Sequence, residues 1–159
     1  MLTFVFLLKV YIIMELIVKH FNELSAQDLF EIYKLRVSVF VVEQNCPYQE
    51  VDDADPLAYH LCLKDDSGIQ AYLRVLPAGV NHKEVSIGRV IAVKRRQGLG
   101  TQLLKEGITV AREKFSAKCI ELDAQTYARK LYENLGFVQQ GDEFLEDGIP
   151  HIPMLLELT

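Results

Sequence analysis

The chain has 159 residues, half of them hydrophobic and a quarter charged, which suits one soluble globular domain with a proper core. A formal net charge of −5 argues against general nucleic-acid binding, which needs a basic footprint. The three cysteines, Cys46, Cys62 and Cys119, form no CxxC pair, so neither a metal site nor a disulfide framework is expected, and a reducing cytoplasmic setting is.

In chain order, "MLTFVFLLKVYII" comes first. It is strongly apolar, shorter than the roughly 20 residues of a spanning helix, and lacks a small-residue cleavage site. Residues 1–13 are therefore expected to be an extension, with no membrane partner, and the domain to occupy 14–159. An extra strand or a partner-binding arm is the rival reading. "ELIVKHF" reads as a strand. Ser25 caps a helix over "AQDLFEIYKLRVSVFVVEQ", with Phe30, Tyr33, Val37, Phe40 and Val41 on its apolar face. "NCPYQEVDDADPLAY" is a polar loop whose Asp52, Asp53 and Asp55 read as solvated, or as recognising a cationic acceptor. "HLCLKD" and "IQAYLRVLP" flank "DSG" as a hairpin. "EVSIGRVIAV" is the longest strand. A helix follows with Leu104, Ile108, Ala111 and Phe115 in a stripe. "KCIELDA" is a buried strand, and "QTYARKLYENLG" a helix ended by Gly136. "FVQQGDEFL" and "HIPMLLEL" complete the set. The pattern is α/β: a mixed, mostly antiparallel sheet with a βαβ crossover and flanking helices.

The turn "RRQGLG" joins the longest strand to its helix. A helix starting near Leu99–Thr101 offers unpaired N–H groups and the positive end of its dipole. Gly98 and Gly100 let a ligand approach that backbone, and Arg95 and Arg96 add positive charge. These features suit a phosphate or pyrophosphate, although the spacing is neither a P-loop nor GxGxxG. A plain strand–turn–helix connection with solvent-facing arginines is the alternative.

Arg95-x-x-Gly98-x-Gly100, preceded by "GRVIAV" and followed by "LYENLGF", resembles the coenzyme A site of the GNAT superfamily of N-acetyltransferases. "LRVSVFVVEQNCPYQEVD" (Leu35–Asp52), "IGRVI" (Ile87–Ile91) and "EDGIPHIPM" (Glu146–Met154) are similar to its ElaA-type branch. The resemblance implies a sheet splayed at its central strand, with acetyl-CoA wedged in the gap and no metal. Val90, Ile91, Ala92 and Val93 would hold the pantetheine. Arg95, Arg96, Gln97, Gly98, Leu99, Gly100 and Thr101 would surround the pyrophosphate. The segment before the turn is shorter than the family's, and Arg96 stands where a glycine is common, so the strand's register toward the coenzyme is open.

The implied reaction is direct attack by an amine of a small molecule or peptide on the thioester, in a ternary complex. Tyr132 matches the family's general acid toward sulfur, and also reads as core packing beside Tyr127, Leu131 and Leu135. Glu43, His60, Arg74, Glu146, Asp147 and His151 are candidates for the acceptor side. Glu43 reads equally as surface charge, His60 as a bonded core histidine, and Arg74 and Arg89 as arginines paired with carboxylates. In "EDGIPHI" the Asp147–Gly148 turn needs no function, whereas Glu146 and His151 exceed what a hairpin requires. Two other readings stand beside this one: a non-catalytic CoA-fold binding module, and an enzyme like acyl-homoserine-lactone synthases, whose start "LRVSVFVVEQ" is similar. A homodimer through an exposed last strand is left open.

Overall fold

A computed structural model describes residues 13–159. The expected extension, apart from Ile13, lies outside the described residues. Eight strands form one sheet in the order β1-β2-β3-β4-β5-β8-β6, with β7 pairing β8. The first four are β1 (Glu15–His20), β2 (Tyr59–Asp65), β3 (Gly68–Leu76) and β4 (Val85–Ala92). The others are β5 (Cys119–Gln125), β6 (Val138–Gln139), β7 (Phe144–Glu146) and β8 (Ile149–Glu157). All pairings are antiparallel except β4 with β5, which are joined by α2 (Leu99–Phe115) in the expected crossover.

Two irregularities of β4 shape everything downstream. It pairs with β5 only at Val85↔Ile120 and Ser86↔Glu121, and the strands then part. Against β3 its register shifts between Tyr72 and Arg74, opposite Arg89, whose φ is +56°. This is a bulge. It displaces the inside–outside alternation by one residue. Val85 and Ile87 face the α2 side, and after the bulge Val90 and Ala92 do. Ile91 joins the cluster of the opposite face, with Ile32, Cys62 and Tyr72.

α2 lies close against the sheet at Gly107, where a Cβ would meet Leu73 and Ile87 side chains at 3.2–3.3 Å. The main core lies between this helix and the sheet, around Leu61, Leu73, Leu103, Leu104, Ile120 and Phe137.

α1 (Ala26–Arg36) starts at Ser25, whose hydroxyl accepts the Asp28 N–H while Asp28 accepts the Ser25 N–H. The helix does not run on unchanged. Val37–Glu43, rich in β-branched residues, is a π-helix. The expected apolar face is corrected accordingly: Phe30 and Val37 are exposed, and Ile32 and Arg36 are buried. A buried cation at the centre of that face broke the apolar pattern.

Arg36 explains the acidic loop, which is not a solvated one. Its Nε is 2.8 Å from Glu50 Oε1 and its Nη1 2.6 Å from Asp55 Oδ1. Arg74 Nη1 reaches Asp52 and Asp55 at 2.6 and 2.7 Å. Arg89 Nε joins at Glu50 Oε1, 2.7 Å away. Three arginines from α1, β3 and β4 thus clamp three carboxylates of one loop, and only Asp53 of the three aspartates stays exposed.

Two further expectations are corrected. "QTYARKLYENLG" forms a 3-10 turn and a five-residue helix α3 (Arg129–Glu133), and Tyr127 is exposed. "FVQQGDEFL" breaks into β6 and β7. Both then pair with β8, so the last strand lies inside the sheet and is not free to pair across a two-fold; among the described residues β1 lies at one edge and β6 and β7 at the other.

Candidate active site

Where β4 and β5 part, a cavity of about 880 Å³ opens through the sheet. That is at the upper end of the range for small-molecule sites, roughly 300–1,000 Å³. Parting leaves the β5-facing edge of β4 without a strand partner beyond Ser86. Val90, Ile91, Ala92 and Val93 line this stretch.

The glycine turn forms one end. Gly98 sits at φ +76° as the N-cap of α2, and no side chain caps the helix. A Cβ at Gly98 would meet nothing within 4 Å, so the space above that backbone is open. Arg95, Arg96, Leu99, Gly100 and Thr101 line the cavity with it; Gln97 does not, and Lys94, absent from the expected set, does. Open backbone, free helix N–H groups and three cations fit a pyrophosphate. The residues present therefore fit coenzyme A.

Tyr132 reaches the cavity from α3. It is 7% exposed and its ring stands edge-on to Phe137 at 5.9 Å. Burial, with a smaller contribution from Tyr127, raises its pKa above the ordinary 10, so the phenol stays protonated. It belongs to the core and it borders the cavity.

Acidic groups line the cavity too. Glu43, beside Arg95, and Glu146 and Asp147 border it, as does His151. His151 Nδ1 is 2.7 Å from the Ile149 carbonyl, which can only accept. A neutral ring therefore carries its proton on Nδ1 and its lone pair on Nε2. Nε2 lies 3.8 Å from Glu146 Oε2. The π-helical segment and loop form the facing wall, where Gln44 bonds Gln125 at 3.2 Å and Cys46 Sγ donates to the Asp147 carbonyl at 3.6 Å. Glu43 reaches Arg95 at 2.7 Å.

Two expected acceptor residues are corrected. His60 does not line the cavity. It is buried, with Nδ1 2.7 Å from the Tyr72 hydroxyl and Nε2 3.0 Å from the Asp55 carbonyl. Burial lowers its pKa, and both ring nitrogens are engaged. Arg74 borders the cavity, but its charge is taken up by Asp52 and Asp55. It braces the wall rather than presenting a free cation. The sequence reading also missed His82 and Asp123, which line the cavity from the loop before β4 and from β5. Their proximity comes from tertiary pairing and leaves no local signal.

Known proteins agree with this geometry. Residues 35–158 match the family model described as Acetyltransferase (GNAT) domain. A UPF0039 protein of Schizosaccharomyces pombe is 42% identical, over 91% of this chain and 98% of its own. The crystal structure of Escherichia coli ElaA covers 91% of this chain and 100% of its own, at 34% identity and a TM-score of 0.84. An acyl-CoA N-acyltransferase from Pseudomonas aeruginosa is 38% identical, with a TM-score of 0.82, covering 89% of this chain and 98% of its own. With the parted strands, the glycine turn and these likenesses together, the chain belongs to the GNAT acetyltransferase family, in its ElaA-type branch, and is an acyltransferase.

Proposed function

We propose that the protein transfers an acetyl group from acetyl-CoA to the amine of a small molecule or peptide, by direct attack in a ternary complex. The observation that carries this reading is a single cavity lined by the basic glycine turn, the unpaired edge of β4, and a group of acidic side chains with a histidine. Coenzyme A supplies the thioester, the activated acyl donor. The N-terminus of α2 and Arg95, Arg96 and Gly98 hold its pyrophosphate. The unpaired backbone edge of β4 at Val90–Ala92 hydrogen-bonds the pantetheine and polarises the carbonyl, which needs donors fixed in advance, while Val93, whose N–H donates to the Gln70 carbonyl, borders the site.

Glu146 and Asp147 attract a cationic amine. His151, whose Nε2 carries the lone pair of the neutral ring, accepts an N–H and orients the nitrogen. Tyr132 donates its proton to the departing sulfur. The P. aeruginosa relative's description as an acyl-CoA N-acyltransferase supports the donor and bond assigned here. Among the described residues no helix is long and apolar enough to cross a membrane. The buried free thiols of Cys46 and Cys62 suit the reducing cytoplasm proposed as its setting.

A screen of amines with acetyl-CoA, reading free thiol release and acetylated product, tests the proposal. Amine-dependent release is expected. Coenzyme binding without release under any amine would instead favour a binding module.

A further inference from the structure

The acceptor nitrogen has to lose two protons. An ammonium group sheds one to expose its lone pair, and the nitrogen sheds a second once bonded to the carbonyl carbon. Of the two histidines expected on the acceptor side, His60 lies in the core, and the fold brings His82 to the cavity that His151 also lines.

His82 lies in the loop before β4, held by the Gly79 N–H donating to its carbonyl at 2.8 Å. It lines the cavity where β4 and β5 part. Its Nε2 is 3.4 Å from Asp123 Oδ2 and its Nδ1 3.8 Å from Glu121 Oε2. Glu121 is itself fixed by the Glu84 N–H, which donates to Oε2 at 3.1 Å. Both imidazole distances exceed a formed hydrogen bond, so the ring is oriented without being locked. Two carboxylates also stand where a positive ring would need them.

The second histidine is close by register. Gln125 pairs with His151 across β5 and β8, and Asp123 lies two residues away on the same face. Diagonal neighbours of this kind sit about 7–8 Å apart, so the carboxylate that holds His82 stands one such step from His151, and both rings line the one cavity. The two rings differ in access: the His82 side chain is 25% exposed and that of His151 10%.

We propose that His82, held by Asp123, is the general base that takes the first proton from the acceptor ammonium and passes it to solvent. The inference rests on the acyl-transfer reading. The freed lone pair forms the N–C bond to the thioester carbonyl, the C–S bond breaks with its electron pair on sulfur, and Tyr132 protonates that sulfur. The second nitrogen proton goes to His151 and balances the one Tyr132 gives up. The net release is one proton, through the more exposed ring. Asp123 is a positioning residue.

The test uses the full chain with acetyl-CoA and three small acceptors: hydroxylamine, largely free base at neutral pH; hydrazine, intermediate; and methylamine, almost wholly ammonium. His82→Gln should lower kcat/KM for methylamine by roughly 10²-fold or more, the effect of losing a positioned base. Hydroxylamine should stay within a few-fold of the parent, and hydrazine fall between. Added imidazole should restore part of the methylamine rate to His82→Ala. Acetyl-CoA affinity and melting temperature should match the parent. An unchanged methylamine rate, or an equal loss for all three acceptors, overturns the role of His82 while leaving acyl transfer standing. A parent that releases no thiol with any of the three, nor with any amine of the wider screen, removes the acetyl-transfer reading and this inference with it.

Discussion

Arg95 Nη2 lies 2.7 Å from Glu43 Oε1, joining the glycine turn to the end of the π-helical segment across the cavity mouth. Both side chains are more than half exposed. Such pairs contribute roughly 0.2–1 kcal/mol and are screened by salt. The same guanidinium is assigned to the pyrophosphate, so Glu43 competes with the coenzyme for it. Glu43→Gln should tighten acetyl-CoA binding by up to about five-fold at low ionic strength. Calorimetry at low and high salt checks this, since the gain should shrink as salt rises.

Tyr132 is fully protonated at neutral pH because burial holds its pKa up. Tyr132→Phe keeps the ring against Phe137 and removes the donor. Turnover should fall by roughly 10²–10⁴-fold with acetyl-CoA affinity little changed. Turnover within a few-fold of the parent would leave Tyr132 a packing residue.

His151 and Glu146 face each other at the acidic end. His151→Ala and Glu146→Gln should each lower kcat/KM for a cationic amine, while acetyl-CoA binding and melting temperature hold. Early melting with a proportional loss of coenzyme binding would mean that the β7–β8 turn is structural.

The arginine–carboxylate clamp sets the acid limit of the fold. Burial alone would raise the pKa of Asp55, but hydrogen bonds and charge from Arg36 and Arg74 outweigh it and hold the group below its ordinary 3.8. Asp52 is lowered too, with Arg74 again overcoming burial. The unfolded chain therefore binds protons first as pH falls. The stabilisation is fully present above about pH 4 and is lost as pH drops through the folded-state values. Urea unfolding between pH 2 and 6 should show that decline. Asp55→Asn, which removes a carboxylate from two buried arginines, should cost about 3–5 kcal/mol at pH 7 and flatten the acid limb.

The glycine turn was readable because its geometry is local: Gly98, Gly100 and the cations of the turn are adjacent in sequence, and the helix they open follows at once. The strands were readable for the same reason, since alternation and turn residues are short-range signals. Arg36 was not, because a charge on an apolar helix face is expected to point outward until Glu50 and Asp55 are seen beneath it. His60 looked like a site residue because alternation tells one face of a strand from the other but not a core from a cavity. His82 and Asp123 are about forty residues apart and meet only because β4 and β5 pair for two residues and then separate.

The measurement that bears most directly on this account is calorimetry of acetyl-CoA with the parent and with Gly98→Val. Gly98 holds φ +76° with open space above it, where the pyrophosphate is assigned. A valine there strains the backbone and fills the approach to the α2 N–H groups. Binding to the parent and loss of at least ten-fold in affinity by a folded Gly98→Val protein are the predicted results. Unchanged affinity in a variant with the parent's melting behaviour would contradict the assignment of the glycine turn to coenzyme A.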